Sequence, residues 1–147
     1  MNSKNLVVER VFDVDMHTVW RAITEKELMK QWYFDLEDFR AEVGFRFEFW
    51  ADDDKGKRWK HLCEITDVNP ETKLVYSWKY DGYSGISYVM FELFDQNGST
   101  RLKLTHSGIE SFPAIPELAL HNFEAGWNSI INTSLKEFFE ARRWTKV

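Results

Sequence analysis

Apolar and polar positions alternate from the first residues of this chain. Between Leu6 and Val14, the side chains of Leu6, Val8, Phe12 and Val14 fall on one face, with Arg10 the exception. A period of two predicts a strand. Asp15 then stands where it can cap a short helix whose Val19, Trp20 and Ile23 share a face. Thr24-Glu25-Lys26-Glu27 has the spacing of a capping box and predicts a second short helix carrying Leu28 and Trp32. From Val43 the period returns to two, and Phe45, Phe47 and Phe49 form a ladder opposite Arg46, Glu48 and Trp50. Further strands are predicted over Trp59–Val68, Leu74–Tyr80 and Ile86–Phe94, and a last one carries Leu102, Leu104 and His106 on one face. Asn69-Pro70-Glu71-Thr72 and Asp81-Gly82 to Gly85 read as turns. Asn97-Gly98 between two alternating runs is the strongest short hairpin signal in the chain.

After Gly108 the spacing becomes helical. Phe123, Trp127, Ile130, Ile131, Leu135 and Phe138 recur on one face, and Pro116 suits a first helical turn. The pattern predicts one helix from Pro116 to Arg143, about 40 Å long at 1.5 Å per residue. Phe123, Trp127, Ile130, Ile131 and Phe138 should face the sheet, and Asn122, Asn128, Lys136 and Arg142 the solvent. Gly126, inside this helix, implies close approach to the sheet. The resulting class is α+β: a curved antiparallel sheet of six to seven strands around a long C-terminal helix, with two short helices after the first strand. A single helix covers only a strip of such a sheet, so the sheet must curl around it. The concavity left over is a pocket. The chain has no repeat or linker, and residues 1–147 read as a single domain.

Composition narrows the function. Aromatic residues make up 16%, with seven Trp and twelve Phe. Bulky rings at alternating positions leave gaps when they pack. The net charge of −5 disfavours nucleic acid and anionic membrane as partners. No stretch reaches the length of a membrane span. The lone cysteine, Cys63, forms no intrachain disulfide, which fits a reducing cytoplasm. The run Asp52-Asp53-Asp54 lacks the spaced ligands of a calcium loop and reads as a solvated hairpin tip.

The order and spacing of several short motifs resemble one known family. They are Val19-Trp20 with Ala22, Trp32, Val43-Gly44 with Phe45-Arg46-Phe47, Glu64-Ile65 followed by Asn69-Pro70, and Leu74-Val75-Tyr76-Ser77-Trp78. They continue as Gly98-Ser99-Thr100, His106-Ser107-Gly108, Gly126-Trp127 and Leu135. Together they resemble the activator of heat-shock-protein-90 ATPase homologue-like proteins, of the START-like (SRPBCC) superfamily. The resemblance implies a helix-grip fold. It also implies a hydrophobic ligand such as a lipid, hormone or polyketide, since superfamily members mostly bind such molecules and a minority are cyclases or hydrolases. Co-chaperones of this name carry an additional N-terminal domain for which the chain has no room. Cys63 stands where relatives often have Gly, and would narrow the pocket if it points inward.

The expected function is therefore binding of a hydrophobic small molecule between sheet and helix. The proposed lining is Trp127, Ile130 and Phe123 from the helix, Trp59, Cys63, Trp78 and His106 from strands, and Trp32 from the second short helix. Alternation fixes which residues share a face but not which face is concave. The alternatives are an enzyme of cyclase or hydrolase type with His106 as base, and a protein-interaction domain with a chaperone or other protein as partner. No catalytic residue, cofactor or metal is assigned: His17, His61, His106 and His121 form no ligand motif, and no GxSxG, P-loop or dinucleotide fingerprint occurs. The chain is expected to be a monomer or homodimer.

Overall fold

The computed structural model describes residues 5–53 and 55–141. Its order is β1 (Leu6–Phe12), α1 (Met16–Thr24), α2 (Lys26–Trp32), β2 (Arg46–Asp52), β3 (Arg58–Asn69), β4 (Lys73–Tyr80), β5 (Ser87–Gln96) and β6 (Ser99–Ser107). Two single 3-10 turns follow, Ile109–Ser111 and Pro116–Leu118. The chain then forms α3 (Leu120–Ser129), a π-helical turn (Ile130–Leu135) and α4 (Lys136–Glu140). The six strands form one curved antiparallel sheet in the order β1-β6-β5-β4-β3-β2. This is the helix-grip architecture: α1 packs on β5 and β6, α3 on β1, and α2 on the π-helical turn.

Local chemistry accounts for most boundaries. Asp15 caps α1, its Oδ1 accepting from the Thr18 amide at 2.8 Å. Asn97 and Gly98 both have positive φ, 56° and 92°, as a type I′ hairpin turn between β5 and β6 requires. The expected alternation places Trp59, His61, Cys63 and Ile65 of β3 on the concave face. Leu74, Tyr76, Trp78 and Tyr80 of β4 and Leu102, Leu104 and His106 of β6 join them. A bulge at Thr66, between the pairs Ile65–Tyr76 and Asp67–Val75, ends the strict register of β3 with β4.

Four expectations need correction. The Thr24–Glu27 capping box does not form: α1 runs through Thr24, whose hydroxyl donates back to the Trp20 carbonyl at 2.6 Å. Glu25 is the N-cap of α2 but makes no side-chain capping bond, accepting from Arg21 instead, and Glu27 pairs with Lys30. The C-terminal helix does not start at Pro116. Ala119, with ψ of 148°, is extended and separates the 3-10 turn from α3. From Leu120 to Glu140 the helix is about 30 Å long. The helical face is met by a change of winding as well. Trp127, Ile131, Leu135 and Phe139 repeat every four residues and are all buried, whereas an α-helix turns every 3.6 or so. The wider π-helical turn brings this row back toward the sheet. Gly126 makes no close approach: it is exposed, and a Cβ there would meet nothing within 4 Å. The expected hairpin tip does lie between β2 and β3, and within it Asp53 also accepts from the Trp59 indole. Arg142 and Arg143 lie outside the described residues.

Candidate functional site: an aromatic cavity under the long helix

A cavity of about 210 Å³ lies between α3 and the concave side of β3 and β4. Trp59 and His61 of β3, Trp78 and Tyr80 of β4, Phe34 beyond α2, and Phe123, Trp127 and Ile130 of the helix line it. Asp52, Asp53, Glu117, Asn122 and Gly126 line both this cavity and an outer groove of about 600 Å³, and so form its mouth.

The three indoles of the wall are each pinned by their N–H group. Trp59 Nε1 donates to Asp53 Oδ2 at 3.0 Å, Trp78 Nε1 to Tyr80 Oη at 2.9 Å, and Trp127 Nε1 to His106 Nδ1 at 2.9 Å. A buried Trp that satisfies its single donor has lost its freedom to rotate toward another acceptor. What these rings offer the cavity is therefore carbon and π surface. They also support one another: Trp78 and Trp127 have centroids 5.5 Å apart, Trp59 and Tyr80 5.3 Å, and His61 and Trp78 4.9 Å at an interplanar angle of 86°. Asp53 itself is fixed by the amides of Lys55 and Lys57, both at 2.9 Å. These bonds, that from the Trp59 indole first, hold its carboxyl below the ordinary value.

His106 is fully buried behind Trp127. An indole N–H can only donate, so Nδ1 carries the lone pair and Nε2 the proton. Nε2 then donates to Ser87 Oγ at 2.7 Å, and Ser87 donates to the Trp78 carbonyl at 3.0 Å. The chain of donors Trp127–His106–Ser87–Trp78 thus closes with a neutral imidazole, and burial pushes its pKa down to about 3. His106 is a ring that positions Trp127, not a base facing the cavity.

His61 is the imidazole that lines the cavity. Its Nδ1 lies 3.1 Å from the Trp59 carbonyl, which accepts only, so Nδ1 holds the proton and Nε2 is an acceptor. Burial pushes its pKa down to about 4, against the opposing pull of the Trp59 and Phe49 carbonyls. Tyr80 Oη accepts from Trp78, and no described residue accepts its own proton. The cavity wall thus holds one acceptor and one hydroxyl among the rings.

Of the residues the sequence singled out, Trp59, Trp78, Phe123, Trp127 and Ile130 come together around the cavity. Trp32, Cys63 and His106 do not line it. Trp32 donates to the Ala22 carbonyl at 2.9 Å and ties α2 to α1. Cys63 points inward but borders a different, polar groove of about 690 Å³ flanked by Arg46, Glu48, Glu64 and Lys79. Burial raises its thiol pKa well above the ordinary value, which leaves it unreactive. Sequence reasoning missed Phe34, His61 and Tyr80. Alternation from Trp59 and Trp78 carried the signal for the last two, whereas Phe34 sits in an irregular loop with no period.

The model of the family described as "Activator of Hsp90 ATPase homolog 1-like protein" matches residues 13–140. Among solved structures, protein MLL2253 from Mesorhizobium loti is 26% identical with a TM-score of 0.76, over 96% of this chain and 100% of that one. Mll3558 from Rhizobium loti is 18% identical with a TM-score of 0.79, over 93% and 97%. DynU16, a protein in the dynemicin biosynthetic locus, is 21% identical with a TM-score of 0.74, over 92% of this chain and 47% of that one. No curated protein sequence matches. Among the described residues no helix is long and apolar enough to cross a membrane. The chain belongs to the Activator of Hsp90 ATPase homolog 1-like family.

Proposed function

We propose that this domain binds a compact, largely apolar small molecule in the cavity beneath α3. The observation that carries the reading is the set of three indoles, each held by its N–H, around an opening that continues to solvent. A buried Trp binds its N–H in a solid core too, as Trp32 does; what supports a ligand site is that these three fixed rings enclose space open to solvent instead of closing on one another. The cavity is smaller than the 300–1,000 Å³ or so usual for drug-sized ligands. It suits a one- or two-ring body, with any longer part of the ligand lying in the outer groove. That DynU16 belongs to the dynemicin biosynthetic locus is in keeping with an organic small molecule as ligand. Binding without turnover is favoured over an enzyme. His106 is enclosed and neutral, and the thiol of Cys63 is protonated and away from the cavity. The net charge of −5 argues against nucleic acid, and the free buried Cys63 is in keeping with a cytoplasmic protein.

The test is titration with the neutral fluorescent probe N-phenyl-1-naphthylamine. Binding with micromolar affinity and quenching of Trp emission is expected. Ile130 is half-buried on the cavity wall, so Ile130→Trp should abolish binding while leaving the thermal midpoint within a few degrees. Undiminished probe binding in that variant would overturn the reading.

A further inference from the structure

We infer that the ligand carries a positive charge: the cavity is built for an organic ammonium ion. The inference rests on the small-molecule reading above and narrows its ligand class. Every charged residue on the cavity lining is acidic, namely Asp52, Asp53 and Glu117, all at the mouth. The wall behind them is aromatic. A cation enclosed by Trp and Tyr rings is attracted by the negative charge above each ring, and most strongly where water is excluded. Carboxylates at the rim attract it during approach and repel an anion.

Two further details fit a cation and not a neutral apolar body. Asp53 accepts the N–H of Trp59, and a carboxylate in that position pushes electron density into the indole, deepening the negative potential over its ring. The surface already uses Trp59 in this way: Lys57 Nζ stands 4.4 Å from the ring centroid while donating to Tyr83 Oη at 2.9 Å. Within the cavity, neutral His61 offers a lone pair at Nε2. That lone pair faces a cation without adding an opposing charge at neutral pH. The hairpin's basic residues stay outside the cavity itself: Lys57 lies on the Trp59 ring near Asp53 and Glu117 and donates to Tyr83, Arg58 pairs with Asp52 at 3.3 Å, and Lys55 lines only the outer groove.

The decisive comparison uses two isosteres, benzyltrimethylammonium and neopentylbenzene. They differ only in a quaternary nitrogen in place of a carbon. Binding is followed by Trp emission in the intact protein at pH 7.5 and low salt. The cation is expected to bind at least tenfold more tightly than the neutral isostere. Glu117→Gln, at a mouth carboxylate that also attracts Lys57 through space, should weaken the cation three- to fivefold and leave the neutral isostere unchanged. Glu124→Gln, the same charge change on an exposed helix position away from the lining, should alter neither. Equal or tighter binding of neopentylbenzene overturns the charge assignment and leaves the cavity reading standing. Equal effects of the two Glu→Gln changes also overturn it. Failure of both isosteres to bind overturns both.

Discussion

Lowering the pH from 8 to 5 acts on two side chains that the fold keeps uncharged, His61 and His106. Both imidazoles are buried, and burial takes their pKa values from 6.5 to about 4 and about 3. In the unfolded chain each takes up a proton as the pH falls through 6.5, while the folded chain does not until near the depressed value. Their neutrality is therefore fully compatible with the native state above pH 6.5, and stability is lost as pH drops below it. The slope is about 1.4 kcal/mol per pH unit for each group. Between pH 8 and pH 5 this amounts to about 2 kcal/mol from each, about 4 kcal/mol together. That is a large share of the roughly 5–15 kcal/mol available to a domain. The carboxylates held below their ordinary range, Asp53 and Asp67 among them, add their loss mainly below pH 5. Urea unfolding followed by Trp emission at a series of pH values gives the difference directly. A His61→Gln variant, whatever its stability at pH 8, should lose only about 2 kcal/mol over the same range. A loss below 1 kcal/mol in the unmodified protein would refute the reasoning, as would an unchanged loss in the variant.

Three further outcomes follow from single residues. Trp127→Phe keeps a ring in the wall but leaves His106 Nδ1 without its donor, and should cost about 1–3 kcal/mol in urea unfolding beyond the volume change; no cost would mean that the hydrogen bond is unimportant. Gly126→Ala should raise stability by about 0.5–1 kcal/mol, because the position is helical and a Cβ meets nothing. A loss there would show that the glycine serves the cavity mouth instead. Cys63, buried and held as a thiol, should react with a disulfide reagent only at the rate of unfolding, which a colourimetric time course with and without urea would check.

The sheet was legible because its signals are redundant. The Phe47 and Phe49 ladder, the Leu74-to-Tyr80 run and the Asn97-Gly98 turn each determine face or register alone, and they agree. Helix ends were less legible, since one side chain can serve two geometries. The Thr24 hydroxyl that could have capped α2 reaches back to the Trp20 carbonyl instead. The widened turn at Ile130–Leu135 follows from burying a four-residue repeat against a curved sheet, which appears only once the sheet is in place. At the site, alternation identified the right faces but not depth. Trp59, His61 and Cys63 share one face of β3, yet only the first two border the cavity. His106 shares its face with Leu102 and Leu104, and its contact with Trp127 across 21 positions of sequence depends on where α3 crosses β6.

Trp59, Trp78 and Trp127 wall the cavity, and the indole N–H signals of the nitrogen-15-labelled protein test its role as a binding site most directly. Each of those N–H groups is fixed by a different acceptor beside the cavity. That of Trp32 is bound to Ala22, and the Trp50 ring is exposed on the outer face. Titration with 2-naphthol should shift the signals of Trp59, Trp78 and Trp127 together and saturably, while those of Trp32 and Trp50 stay in place. Shifts confined to Trp50, or no saturable shift at the three wall indoles, would contradict it.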